Sequence, residues 1–547
     1  MDDMPRLLKQ MTLREKIGQL MMVGFHGKTP SQEILDLIEN DYVGGVILFG
    51  RNIGTSEELY ALNVSLQEAA RRAGQPYPLL ISTDQENGVV RRLGEGTTLF
   101  PGNMFLGAMD DPEATAAVAR ATGRELKALG VNMNLAPVID VNNNPANPVI
   151  GIRSFGERPE LVARHGVAAV KGYQEAGVVP TIKHFPGHGD TDVDSHLTLP
   201  TIAHDLERLE AIEMVPFRQA IAAGADCVMT AHIDFPALES HRGVPATISR
   251  AVVTDFLRDT LGFSGVVITD CLEMKAIADT VGTVEGALQA LIAGNDLLLI
   301  SHTYALQKEA IQRIAQAVES GEIPEALVDQ AVLRVLRLKA KYTAWETAIP
   351  SNRAALNMVG SSEHAALSND LYARGVTLVK NKGIIPLKLD PSALLMVVYP
   401  GGGVFSMVED RRYTPDVLKE AVLSHHDNVT VMTYSPEPTD EEMEAIADTA
   451  ANAAAILIGT MNAHLHQKQA EIVRRLIALG KPVIVIAMRN PYDLMAFPDV
   501  GAFLAAYEFT WPALSAAVQI CFGQLSPCGK LPVTVPGLAA AGFGLSR

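Results

Sequence analysis

One short stretch, Lys183–Pro200 (KHFPGHGDTDVDSHLTLP), holds His184, His188 and His196 together with Asp190, Asp192 and Asp194. Pro186, Gly187 and Gly189 make it begin as a loop rather than a helix. Three kinds of chemistry compete for such a segment. The three aspartates imitate the start of an EF-hand loop, which needs Gly at its sixth position and Glu at its twelfth. Ser195 and Thr201 stand there instead. No H-x-x-x-H or H-E-x-x-H on a helix offers a transition-metal site, and Cys227, Cys271, Cys521 and Cys528 contain no C-x-x-C. No metal is therefore expected. A solvated polar loop is the ordinary answer for a single Asp or His, and a weaker one for six of them behind an apolar run. General acid/base catalysis is the third reading. In Asp194-Ser195-His196 an extended backbone would send the first and third side chains to the same side. The carboxylate would then hold one ring nitrogen of His196, while the other trades a proton with a substrate oxygen. A Gly-rich loop would let this pair advance over a bound substrate and withdraw.

A second centre lies at Val266-Val267-Ile268-Thr269-Asp270, where an apolar run delivers a carboxylate. Position alone leaves Asp270 balanced between a helix N-cap and a nucleophile. The acid/base loop tips the balance, because covalent catalysis pairs a nucleophile with a proton donor.

These residues need a scaffold. Short apolar runs recur at Met21–Phe25, Val46–Phe49, Leu79–Ser82, Met133–Ile139, Val179–Ile182, Cys227–Ala231, Val266–Ile268 and Leu297–Ile300. Each is too short for a helix, and helical patterns such as Asp111–Leu129 and Glu157–Ala176 lie between them. Alternating strands and helices imply a parallel sheet with right-handed crossovers. Eight runs over some 300 residues suit a (β/α)8 barrel, with an open doubly wound sheet as the alternative. Runs ending in Asp84, Asp140, Lys183-His184, His232 and Asp270 point to one shared pocket, because βα loops converge at the C-terminal ends of parallel strands. For His232 and Asp234, pocket lining and structural hydrogen bonding are equally open. Residues 303 to 340 read as helical and Lys339–Ser361 as a connector containing Pro350 and Gly360. Six further runs, from Val376–Val379 to Phe503–Tyr507, alternate with helical segments such as Thr439–Ala451 and Gln467–Leu479. They predict a three-layer α/β/α sandwich. The domain expectation is a barrel over 1–345, a linker over 346–364 and a sandwich over 365–547.

Composition limits the partners. The 547 residues carry a formal net charge of −17, which repels phosphate backbones and anionic membrane surfaces. Four cysteines in so long a chain make no disulfide framework, and Cys227 and Cys271, in or beside apolar runs, read as small buried hydrophobes. No run of about 18 apolar residues occurs. The N-terminal stretch lacks a basic segment followed by an apolar one, so a cytoplasmic location is expected. No dinucleotide fingerprint, phosphate loop or G-x-S-x-G elbow is present, and no cofactor is expected. Oligomeric state is not readable.

The motifs resemble family-3 glycoside hydrolases, specifically the β-N-acetylglucosaminidase branch. The resemblance rests on Asp84-Gln-Glu-Asn-Gly, Ile152-Arg-Ser-Phe-Gly156, Lys183-His-Phe-Pro-Gly-His-Gly-Asp-Thr191, Asp194-Ser-His196 and Ile268-Thr-Asp270. It spans most of residues 10–345 and continues into the second domain at Gly375-Val-Thr-Leu-Val-Lys-Asn and Gly529-Lys-Leu-Pro-Val-Thr. The K-H-F-P-G-H-G-D-T stretch followed by D-x-H is specific to this branch; the related β-glucosidases take their acid/base from the second domain. The resemblance implies Asp270 as nucleophile, His196 as acid/base and Asp194 as the residue that orients it. It implies Asp84, Arg92, Arg153, Lys183 and His184 as binders of the sugar. One departure stands out: Asn87 occupies a position where the family carries Gly, and its side chain is expected at the pocket rim.

The expected activity is removal of terminal β-linked N-acetylglucosamine from muropeptides or chitin-type oligosaccharides, with retention and without a metal. Two alternatives stay open: a phosphorylase on the same site, since a neutral histidine repels an incoming anion less than a carboxylate would, and a catalytically silent sugar-binding protein.

Overall fold

The computed structural model describes residues 4–349, 353–402 and 414–546. The eight runs of the first half form parallel strands: β1 Met21–Val23, β2 Gly45–Leu48, β3 Leu80–Thr83, β4 Met133–Asn134, β5 Val179–Phe185, β6 Cys227–Thr230, β7 Val266–Thr269 and β8 Leu298–Ile300. Sequence neighbours pair in order, and β1 also pairs with β8. The seam between β7 and β8 is drawn together by the Ile268–Leu297 bridge and by the Leu272 N–H donating to the Leu299 carbonyl at 2.9 Å. The result is a nearly closed (β/α)8 barrel rather than an open sheet. All residues of these strands are buried, which explains continuous apolar runs in place of alternation.

Local chemistry sets the boundaries. The helix Pro112–Ala128 starts where the Asp111 side chain accepts the Ala114 N–H, with Pro at its first turn. Helix Pro159–Ala176 ends on Gly177 in the left-handed region, φ +72°. Two expectations are corrected. The run Met133–Ile139 is a strand only at Met133–Asn134, because Pro137 has no N–H for the ladder; pairing resumes as a lone Val138–Lys183 bridge. The helical stretch 303 to 340 is two helices, Tyr304–Glu319 and Glu325–Tyr342, broken at Gly321 (φ +78°) and Pro324.

In the connector, the helix Glu325–Tyr342 runs through the expected start, followed by short helical turns at Trp345–Ala348 and Ala354–Met358. Pro350 lies outside the described residues. Helix Ser362–Gly375 then leads into a six-stranded sheet. Its strands are β9 Thr377–Asn381, β10 Leu395–Pro400, β11 Val429–Tyr434, β12 Ala455–Thr460, β13 Val483–Ala487 and β14 Ala502–Ala505, in the order β11-β10-β12-β13-β14-β9. All pairs are parallel except β9 against β14.

The two domains share an apolar core. Val89, Val90, Met104, Phe105 and Ile152 of the barrel belong to the same buried cluster as the second sheet. Phe105 meets Tyr372 and Tyr507 edge-on, with centroids 5.1 and 6.2 Å apart. No helix among the described residues is long and apolar enough to cross a membrane.

Candidate active site

A cavity of about 500 Å³ opens where strands β2, β3, β5, β7 and β8 end. It is lined by Asp84, Arg92, Arg153, Lys183, His184, His196 and Asp270, and all its lining residues lie between Ile47 and His302. Seven of the eight residues singled out from the sequence therefore face one space. The eighth, Asp194, is bonded to His196 from behind.

One wall is a charge-balanced quartet. Arg153 places two nitrogens 2.8 Å from the two oxygens of Glu86. Lys183 Nζ lies 2.8 Å from Asp84 Oδ1 and 2.7 Å from Glu86 Oε1. Burial pushes the Glu86 carboxyl up, but the Arg153 and Lys183 charges overcome this and hold it well below the usual carboxylate range. Burial likewise works against the Lys183 ammonium, and Asp84 and Glu86 raise it above its ordinary value. The two basic and two acidic side chains of the quartet pair off against each other. Such a wall offers donors and acceptors to neutral hydroxyls without attracting an ion of either sign. Arg153, which by default would be a solvated charge, is 7 % exposed.

Behind the quartet stands Asp140, fully buried at the end of the β4 segment. It accepts His184 Nδ1–H at 2.7 Å, the His184 N–H at 3.2 Å and the His188 N–H at 2.7 Å. Burial pushes its carboxyl up, and the charge and hydrogen bond of His184 bring it below its ordinary value. This fixes the His184 ring with Nε2 turned toward Arg153, 3.5 Å away.

Asp270 follows β7. Its Oδ1 accepts the N–H of Cys271 at 2.7 Å, and among the described residues no hydrogen bond reaches Oδ2. Burial alone would raise its carboxyl; His232, His184 and His196, with the Cys271 N–H, lower it below its ordinary value. The N-cap reading fails, because the next helix, Lys275–Ala278, is capped at Met274. His232 is structural: its Nδ1 lies 2.8 Å from Thr247 Oγ1 and its Nε2 2.9 Å from the Cys271 carbonyl, which ties β6 to the turn carrying Asp270. Asp234 similarly binds Thr201 and the Gly243 N–H.

Asp194 and His196 meet, but not through an extended backbone. Asp194 Oδ1 accepts both the His196 N–H at 2.8 Å and His196 Nδ1–H at 2.7 Å, while the Asp194 carbonyl accepts the N–H groups of Leu197 and Thr198. This is an Asx turn, which reaches the i+2 amide by folding back rather than by strand alternation. Burial raises the Asp194 carboxyl, and its bonds to His196 bring it below its ordinary value. His196 Nε2 is left for the cavity.

Among the described residues the second domain lends no side chain to the cavity, but it braces the loop that carries Arg153. Asn142 Nδ2 donates to Tyr492 Oη at 3.1 Å, His464 Nε2 lies 3.0 Å from the Pro145 carbonyl, and Thr534 donates twice to Glu157. Gly151 sits at φ +43°, and a Cβ there would come 2.8 Å from the Asn490 amide. Only glycine allows that approach.

Several features escaped the sequence reading. Asn87 is not at the rim. It adopts φ +70°, which Asn tolerates better than most residues, and its side chain bonds Gln85 and Thr122, away from the cavity. Cys271 is no buried hydrophobe; it lines the cavity with Arg51, Glu273 and His302. Among the described residues, Cys271, Glu273 and His302 are the one trio whose ligand atoms, within 4.8 Å of one another, could hold a metal ion. The Arg51 guanidinium faces Cys271, Glu273 and His302, so a positive charge already occupies this wall. The spacing Asp270-x-x-Glu273 was the only signal for that wall in the sequence.

Residues 12–338 match the glycosyl hydrolase family 3 N-terminal domain and residues 312–541 the glycosyl hydrolase family 3 C-terminal domain. Beta-hexosaminidase A of Pseudoalteromonas piscicida is 32 % identical, over 96 % of this chain and 97 % of its own. A family-3 β-N-acetylglucosaminidase structure from Paenibacillus sp. str. FPU-7 superposes with TM-score 0.90 at 42 % identity, covering 96 % of this chain and 99 % of that one. A fungal multi-domain family-3 β-N-acetylglucosaminidase superposes with TM-score 0.91 at 42 % identity; the match covers 97 % of this chain and 62 % of the fungal one. With both domain types matched along nearly its whole length, the chain belongs to glycosyl hydrolase family 3.

Proposed function

We propose that the chain is a retaining exo-β-N-acetylglucosaminidase that acts by double displacement. One observation carries this reading: Asp270 and the Asp194–His196 pair face the same cavity, with His196 near enough to lower the Asp270 carboxyl electrostatically. In the first step an Asp270 oxygen attacks the anomeric carbon, the bond to the aglycone oxygen breaks, and His196 Nε2–H gives that oxygen its proton. In the second, water attacks the same carbon, His196 takes its proton, and the Asp270 carboxylate departs. Asp194 stays ionised, keeps the tautomer and stabilises the imidazolium. Asp84, Arg92, Arg153, Lys183 and His184 bind the hydroxyls of the terminal sugar.

The relatives named β-hexosaminidase and β-N-acetylglucosaminidase support N-acetylglucosamine as that sugar. Muropeptides or chitin-type oligosaccharides are the proposed source, and the cytoplasm the proposed compartment. The test compares a nitrophenyl β-N-acetylglucosaminide with the β-glucoside. The first should be turned over and the second far more slowly. Release from neither, or a preference for glucose, would refute the reading.

A further inference from the structure

Resting on that reading, we propose that His188 and Ser195 form a latch that positions the Asp194–His196 pair over the leaving oxygen. Among the described residues, one side-chain hydrogen bond ties the segment 192–199 to the rest of the protein: Ser195 Oγ to His188 Nε2, 2.9 Å. The other side-chain bonds there are internal, from His196 to Asp194. Val193 and Leu197 are 37 % and 58 % exposed, so apolar packing does not hold the segment down. The tether is attached to the residue between the two members of the pair.

The anchor at the other end is rigid. His188 is 2 % exposed. Its N–H donates to Asp140 at 2.7 Å, and its carbonyl accepts Asn147 Nδ2 at 2.9 Å and Thr191 Oγ1 at 3.3 Å. Its ring lies edge-on to His184, centroids 5.7 Å apart. Thr191 gives its only hydroxyl proton to the His188 carbonyl, so Nδ1 carries the ring proton and donates to Thr191 Oγ1 at 3.0 Å. Nε2 is then the acceptor and the Ser195 hydroxyl the donor. Asp140 holds His184 and His188 together, so the sugar-binding wall and the acid/base pair share one buried support.

General-acid catalysis requires heavy atoms at hydrogen-bonding distance in the reacting complex, and small displacements are costly. A segment fixed at one point loses that placement when the point is removed, without losing the fold. Both residues border the cavity, but they act as positioning residues: they bond each other, and the proton transfer falls to His196.

The test uses the full chain with Ser195→Ala, His188→Gln and the double variant, folding being checked by thermal melting. Two substrates separate positioning from structure: diacetylchitobiose, whose sugar leaving group needs a proton, and the 2,4-dinitrophenyl N-acetylglucosaminide, whose leaving group does not. For Ser195→Ala we expect kcat/KM on chitobiose to fall about 10- to 100-fold and on the dinitrophenyl glycoside less than about threefold. The double variant should be no worse than the poorer single one, as for two ends of one contact. An equal loss on both substrates, or none on either, overturns the latch. A wild-type chain inactive on both overturns the glycosidase reading, and the latch with it.

Discussion

Arg153 grips Glu86 through two contacts of 2.8 Å, with both side chains withdrawn from solvent, and Lys183 meets the same carboxylate at 2.7 Å. Glu86 is thus the hinge of the charged wall although nothing in its sequence surroundings marks it as more than a neighbour of Asp84. Two cations depend on it.

Replacing Glu86 by Gln keeps the shape and removes the charge. Breaking a buried pair from one side costs about 3–5 kcal/mol, because the partner charge is left uncompensated. The expected result is a lower melting temperature together with a large loss of kcat/KM. Unchanged stability, measured by calorimetry, would show the quartet to be weakly coupled.

The pH profile should be governed by depressed carboxylates. Asp270 and Asp194 both lie below their ordinary value of 3.8. A carboxylate so depressed remains ionised as pH falls and is neutralised only below that value. On the dinitrophenyl substrate, kcat/KM should therefore show no acid limb above pH ~4 from either group. A limb near pH 5 to 6 that disappears in Asp194→Asn would contradict this assignment.

A chelator should leave turnover unchanged, because the proposed proton and nucleophile roles fall to side chains. Loss of activity in EDTA, restored by one divalent ion, would redirect attention to Cys271, Glu273 and His302. Added phosphate should alter neither rate nor product; release of a sugar 1-phosphate would make the enzyme a phosphorylase.

Lys339 offers a test of the fold away from the site. It is fully buried, and its Nζ donates to Gln19 Oε1 at 2.7 Å. Burial lowers its amine from 10.5 to about 7. Between those values the unfolded chain binds a proton that the folded chain does not, so this group makes stability rise with pH across that window and contributes a constant penalty below it. In Lys339→Met the melting temperature should vary less with pH between 7 and 10.5 than in the wild type. Parallel curves across that window would argue against a neutral lysine.

Much of the barrel was readable from sequence because its strands are buried on both faces, leaving continuous apolar runs, and because several runs end in reactive side chains. What the sequence obscured was backbone detail. Pro137 cut β4 short, and Asp194 reached His196 by an Asx turn that one-residue spacing does not distinguish from a strand. Asn87 looked like a rim residue only because a positive φ cannot be read from its neighbours. Asp140, His188 and Glu86 were invisible as a network because the partners that join them across the site lie 44 to 97 residues away in the chain. The second domain gave no catalytic signal, and among the described residues it meets the Arg153 loop through Tyr492, His464 and Thr534.

The central claim is that Asp270 forms a bond to the anomeric carbon. Incubation with a 5-fluoro N-acetylglucosaminyl donor, followed by proteolysis and mass mapping, tests it directly. The account predicts a single labelled peptide carrying the sugar on Asp270. A label on any other residue would contradict it.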